Sequence, residues 1–317
     1  MRKWTLLFFL LAFLLGCARE DTMPAKSLSM DDVLAPDIKV EQVTGGFQFT
    51  EGPVWMPDGY LLFSDIPANI IYKWTPGAAK AEVWRAPSGN SNGLTLDAQG
   101  RLLACEHSNR RVSRTEQDGT ITLLADRYDG KKLNSPNDIV VHSSGAIYFT
   151  DPPYGLPNQK VGKELDFNGV YRLAPDGAPS GTLTLLDDSL PRPNGLAFSP
   201  DERVLYVDDS QLGIIRAYDV QPDGTLANAR LFAELKGDKE GVPDGMKVDL
   251  MGNVFCTGPG GVWVFNPAGD KLGVIEMPEV PANLAWGGPD FKTLYVTAQT
   301  GLYRVQVKTG GKLAGSN

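Results

Sequence analysis

Beyond residue 37 the chain alternates short apolar runs with tight polar punctuation, and the alternation is periodic. The runs YLLFSD, RLLACE, AIYFTD, VLYVDD, NVFCTG and TLYVTA are rich in leucine, β-branched and aromatic residues, the make-up of buried strands. In four of the six a glycine stands directly in front (Gly59, Gly100, Gly145 and Gly252) and marks a hairpin turn. Another apolar stretch precedes each turn. At its head is a polar anchor: Glu51, Asn92, Asn137, Asn194, Asp244 or Asn283. Successive anchors lie 41, 45, 57, 50 and 39 residues apart, the spacing of repeated sheets. Further strands complete each repeat, such as NIIYKWTP, GVYRLAP, IIRAYDV, GVWVFNP and GLYRVQV, and no long amphipathic helix interrupts them.

Six four-stranded repeats predict an all-β fold, a six-bladed β-propeller with a central channel, over residues 37–310. The last repeat supplies only three strands before Val307, so IKVEQV at 38–43 is expected to close its blade. The first strand of each blade leads away from the anchor and the second climbs back. The fourteenth residue past an anchor, Asp65, Glu106, Asp151, Asp208 or Gly258, therefore returns to the same rim. Cys105 and Cys256 fall at equal depth in opposite blades and are expected to be free thiols. Residues 311–317 read as a disordered tail.

The leader stands outside this pattern. Arg2 and Lys3 precede an apolar run from Trp4 to Leu15, too short to span a bilayer and shaped like a secretory signal. It ends in LLGC, which resembles a bacterial lipoprotein box. Residues 1–17 are thus expected to be a signal peptide with Cys17 as the lipidation site. Ala18 after the cysteine favours the outer membrane. Residues 18–36 lack apolar periodicity and read as a flexible tether. The expected location is the bacterial periplasm or cell envelope, with membrane contact only through the lipid on Cys17. A net charge of −8 leaves no footprint for nucleic acid, so the expected partner is a small molecule. Oligomeric state leaves no signal.

One anchor alone reads as a turn residue accepting local backbone hydrogen bonds. Six at one mouth read differently. Glu51 and Asp244 in a narrow channel would repel unless a cation lay between them. Amide oxygens from Asn137 and Asn194 complete an all-oxygen cage suited to a hard ion such as Ca²⁺. Rival chemistries fit less well. GNSNG at 89–93 matches a nucleophile elbow, but a β-hairpin follows Ser91 where a helix is required. The chain has two histidines and no H-E-x-x-H, which excludes a His-rich zinc centre. Near the mouth, Asn92, His107, Asp151 and Tyr154 are candidate substrate contacts. Tyr154 lies in the loop PPYGLPNQKVGKELDFN, 152–168, a candidate wall or lid.

The motifs EGPVW, SPND, RPNGLAFSPD and VPDGMKVD, in this order and spacing, resemble the senescence-marker protein/gluconolactonase family, which includes regucalcin and bacterial lactonases. YFTDPPYGL at 148–156 looks like its bacterial gluconolactonase branch. The resemblance covers the whole domain and implies a propeller with a divalent metal held by Glu51, Asn137, Asn194 and Asp244. Ca²⁺ is the foremost candidate, with Zn²⁺, Mg²⁺ and Mn²⁺ open. It further implies a hydrolase that opens a lactone, a sugar lactone such as gluconolactone, with Asp244 as ligand and general base. Alternatives are a phosphotriesterase-like or general esterase activity on the same metal, or a non-catalytic binding propeller. One position departs from the family: where regucalcin has a sugar-holding arginine, two residues before the third anchor, this chain has Ser135.

Overall fold

At the four turn glycines the backbone is left-handed, with φ of 83° at Gly59, 73° at Gly100, 85° at Gly145 and 85° at Gly252. Only glycine adopts this conformation without strain, so the hairpins turn where the sequence places them. The computed structural model describes residues 1, 29–35, 37–175 and 183–315. Among the described residues it contains six four-stranded antiparallel sheets, and in five of them the innermost strand comes first in sequence. Those inner strands are Thr50–Met56, Ser91–Leu96, Ile139–Val141, Pro193–Phe198, Met246–Val248 and Pro281–Gly287. Blades one to six follow in that order around the channel. The architecture is a six-bladed propeller.

Blade six closes as the strand count requires. Glu41–Gly45 pairs antiparallel with Gly301–Gln306, Glu41 opposite Arg304 and Gly45 opposite Gly301. The closing strand begins three residues later than the 38–43 expected. Before it, the chain is ordered further back than a tether over 18–36 allows. Ser29 and Asp32 hydrogen-bond to each other at the start of a one-turn helix, Met30–Val33. Val33 is fully buried among Phe255, Val264, Val305 and Val307, and Leu34 bridges to Val307. Three apolar residues, Met30, Val33 and Leu34, dock this turn, too few to show as periodicity.

The tail expected to be disordered over 311–317 is likewise placed through Gly315. Gly311 lies flat on Trp286, where a Cβ would stand 1.8 Å from Cδ1. Leu313 and Ala314 then pack on the core between blades one and two. The segment thereby crosses the end of the channel opposite the anchors. Beneath it is a cavity of about 160 Å³ lined by Trp55, Ile139, Val141, Phe198, Val248 and Trp286. Cys105 and Cys256 are free and buried. Residues 2–28, with the leader and Cys17, lie outside the described residues. Among the described residues no helix is long and apolar enough to cross a membrane.

Candidate active site

The anchors reach the channel because the strand ladder breaks where they stand. Pairing slips between Glu51 and Val54, Ser91 and Leu94, Pro193 and Leu196, and Pro281 and Asn283. In blades three and five the inner strand begins only after the anchor, at Ile139 and Met246. Such bulges re-aim side chains that regular pleating would point elsewhere. Close approach of neighbouring anchors then depends on the glycine that follows. A Cβ on Gly52 would stand 2.0 Å from the Asn92 carbonyl oxygen, and one on Gly195 would stand 2.2 Å from that of Asp244. Blade three has Asp138 in this place instead. Its Oδ1 accepts the Ile139 N–H at 2.9 Å, and its Oδ2 accepts Asn283 Nδ2 at 3.3 Å from blade six.

A chain of amides runs round the mouth. Asn92 Nδ2 donates to Asn137 Oδ1 at 2.6 Å, Asn137 Nδ2 donates to Asn194 Oδ1, and Asn194 Nδ2 donates to Ser210 Oγ at 2.9 Å. Ser210 donates onward to the Pro243 carbonyl at 2.7 Å, beside Asp244, and lies near the Tyr154 hydroxyl. The carboxylates lie against this chain. Burial, and next the charge of Asp138, raise Glu51 to about 7. Asp244 is raised well above the carboxylate range by burial and then by Glu51, Asp208 and Asp138. Asp208 is raised by burial and by Asp138. Lys247 opposes this on one side: Nζ donates to the Met246 carbonyl at 2.9 Å and to Asn283 Oδ1 at 3.4 Å, and its charge lowers Glu51.

Loop 152–168 forms one wall. Ser135 Oγ donates to the Pro152 carbonyl at 2.6 Å and accepts the Gly155 N–H at 2.9 Å. Ser135 is fully buried, so this position clamps the loop. Gly155 presses on His107, where a Cβ would stand 2.5 Å from the histidine Cβ. His107 Nε2 lies 3.3 Å from Asn137 Oδ1 and 3.3 Å from Asn92 Nδ2. Burial lowers His107 to about 4 and keeps the ring neutral, while burial pushes the Tyr154 hydroxyl up to about 12.

Seven sequence candidates thus meet at one mouth: Glu51, Asn92, His107, Asn137, Tyr154, Asn194 and Asp244. Asp151 does not join them. It is fully buried, its Oδ2 accepts the Asn134 N–H at 2.7 Å, and burial lifts it to about 7. The expectation of a substrate contact at Asp151 is corrected: it sits on a second strand, behind the wall. Asp138, Ser210 and Lys247 escaped sequence reasoning. Two of them carried a signal. Asp138 stands directly after its anchor, where four repeats have glycine. Lys247 stands three past its anchor, where the other repeats have Val54, Thr95, Val140, Ala197 and Trp286.

This donor set fits a divalent cation. Two carboxylates and several amide oxygens are gathered where burial disfavours their charge, and a hard ion relieves that cost. Asn92 Oδ1 is buried without a hydrogen-bond partner. Among the described residues no three His, Cys, Asp or Glu converge on a metal position, because amides supply much of the oxygen here.

A model of the SMP-30/gluconolactonase/LRE-like region matches residues 49–300. The gluconolactonase of Zymomonas mobilis is 37% identical over 307 residues, covering 89% of this chain and 85% of that one. A pentonolactonase of Haloferax volcanii is 29% identical over 261 residues, covering 79% of this chain and 81% of that one. The solved structure of a gluconolactonase from Xanthomonas campestris superposes with a TM-score of 0.80 at 36% identity, covering 88% of this chain and 92% of that one. Propeller, motifs and matches agree, and the chain belongs to the SMP-30/gluconolactonase family.

Proposed function

We propose that the protein is a divalent-metal-dependent hydrolase that opens a sugar lactone such as gluconolactone to its hydroxy acid. The observation that carries this reading is the pair Glu51 and Asp244, two carboxyls raised by burial and by neighbouring acidic groups, among amides at one channel mouth. The curated names gluconolactonase, pentonolactonase and lactonohydrolase among its relatives support the reaction class.

Glu51, Asn137, Asn194 and Asp244 are the residues that would hold the ion, and their oxygens favour Ca²⁺. When bound, a divalent cation supplies Lewis acidity toward a carbonyl oxygen. The chain does the rest. Asp244, partly open to the mouth, takes a proton from water as the water oxygen adds to the acyl carbon. That proton passes to the ring oxygen as the C–O bond breaks, which leaves an alcohol and a carboxylic acid that ionises by releasing its own proton to solvent. Ser210 fixes the Asn194 amide by accepting from Nδ2, and so turns Oδ1 toward the other amides. Neutral His107 bonds to Asn137 without adding a positive charge that would repel a cation. The clamped loop over His107 narrows water access to the reacting centre.

Purified protein, offered lactones, p-nitrophenyl esters and a phosphotriester with and without each metal, tests the proposal. Metal-dependent turnover greatest on sugar lactones is the expected result. Faster turnover of the phosphotriester or plain esters would replace the substrate class, and no turnover of any of them would favour a binding propeller.

The leader motif LLGC and Ala18 support a further part of the proposal, a lipid on Cys17 that anchors the protein to the outer membrane from the periplasmic side. Ser29–Leu34 docks at the channel end away from the anchors, so a tether leaving there would turn the mouth away from the bilayer. Cys17→Ala should release the protein from the membrane fraction.

A further inference from the structure

The arginines of the mouth-side rim differ in one respect. Arg85 and Arg111 both pair with Glu106, at 3.1 Å and 2.7 Å, and Arg110 donates to the carbonyls of Leu133, Asn134 and Gly162. These three hold loops together. Arg192 makes no ion pair among the described residues. Its Nη1 donates to Gln159 Oε1 on the long loop, and its guanidinium carbon lies 5.3 Å from the centre of the Tyr154 ring. A guanidinium carries five N–H donors. Among the described residues Gln159 is the one side-chain hydrogen-bond partner of Arg192, so most of its fork is free.

Its backbone is held in place. The Arg192 N–H donates to Asp209 Oδ2 at 2.6 Å, and the Arg192 carbonyl accepts the Ser210 N–H at 3.1 Å. Ser210 is the residue that orients Asn194, and it lies near the Tyr154 hydroxyl. Arg192 therefore stands one tyrosine ring away from the amide chain of the mouth, half-buried, with a fixed base and a free fork. It also stands two residues before its anchor, the register position that Ser135 occupies one blade earlier. In blade three that position is closed off by the loop clamp. In blade four it is open.

We propose that Arg192 is the specificity-determining residue of the site. Its guanidinium receives the hydroxyl oxygens carried by a sugar lactone on the side of the ring away from the scissile ester. This rests on the lactonase reading above and names the feature by which such an enzyme tells a polyhydroxylated lactone from a bare one. Adjacent hydroxyls present paired acceptors that match the planar fork, and the Tyr154 face holds the fork in plane. A lactone without hydroxyls makes none of these bonds.

The test compares glucono-δ-lactone with δ-valerolactone, assayed with saturating metal on the parent, Arg192→Met, Arg192→Lys and Gln159→Ala. Loss of one or two charge-assisted hydrogen bonds corresponds to a roughly 10- to 100-fold rise in KM for gluconolactone in Arg192→Met. Binding lost without chemistry leaves kcat within about threefold. Valerolactone kcat/KM should be unchanged, Arg192→Lys should restore part of the gluconolactone KM, and Gln159→Ala should resemble the parent. Equal losses on both lactones, no change on either, or a Gln159→Ala variant that reproduces Arg192→Met would overturn the assignment, the last because it would make Arg192 a loop clasp. Should Arg192→Met melt early, the lysine variant carries the comparison. A parent that opens neither lactone overturns the lactonase reading itself, and this inference with it.

Discussion

The two ends of the channel are built from the same six strands and obey different rules. At the lower end the inner strands present Trp55, Ile139, Val141, Phe198, Val248 and Trp286, and residues 311–315 close over them. Burial there stabilises, at roughly 25 cal/mol per Å² of apolar surface. Four residues before Trp55, Val141, Phe198 and Val248 in the chain, Glu51, Asn137, Asn194 and Asp244 are gathered where burial opposes the charge of the two carboxylates. The apolar end carries the fold and the polar end is held in an unfavourable state by it. Such opposition marks a site, because a structure selected only for stability would fill both ends with side chains like those of the lower one.

The comparison breaks first at Asp244. Asp244→Asn keeps an oxygen of similar size and gives up the charge and the proton acceptor. Turnover should fall on the order of 10²–10⁴ at saturating metal. Asn194→Ala should instead bind metal more weakly, with much of its turnover returning as metal is raised. Near-parental turnover in metal-loaded Asp244→Asn would reduce Asp244 to a ligand and return the search for a base to the mouth.

Metal removal should restore the charge cost at the upper end only. An ion bound by the folded state alone contributes roughly 2.7 kcal/mol at a hundredfold excess over its dissociation constant. Chelation should therefore lower the melting temperature. The metal-free protein should also respond to pH in an unusual direction. Glu51 and Asp151 are raised to about 7, so between about 4.5 and 7 the folded state binds protons that the unfolded chain does not. Stability gained by protonation is present at the acidic end of that window and lost as pH rises through 7. Melting of chelated protein should shift upward as pH falls from 8 to 6, and less so once metal is bound. A melting point that falls over this range in chelated protein would contradict the charge assignment.

The lower end should respond with stability alone. Deleting residues 18–34 removes fully buried Val33, a loss of about 1.5–3 kcal/mol, whereas deleting 18–28 should cost little. Deleting 311–317 uncovers the cavity and should cost on the order of 1 kcal/mol, with kcat unchanged. A comparable fall in kcat from either deletion would show that the two ends are coupled.

Much of this division is legible in the sequence because the repeat exposes it. The anchors Glu51, Asn92, Asn137, Asn194, Asp244 and Asn283 share one position in six repeats, and the turn glycines keep their distance in four. The propeller and its polar rim follow from that registration. What falls outside the repeat is harder to read. The turn at Met30–Val33 and the strap at 311–315 dock through two or three apolar residues each, below any periodic signal. Asp138 and Lys247 are departures from the repeat, visible once the repeats are aligned but silent about direction. Asp151 and Tyr154 show the limit most clearly. Both belong to blade three near its long loop, yet backbone bonds hold Asp151 behind the wall while Tyr154 joins Ser210 at the mouth.

The claim that the upper end is a metal site for lactone opening is tested most directly by one titration. Protein stripped of metal is titrated with Ca²⁺ in a calorimeter, and gluconolactone opening is followed by pH-stat on the same samples. Turnover should be absent at the start, rise in proportion to the ion bound, and level off at one ion per chain. Full turnover in protein shown to be metal-free would contradict the account.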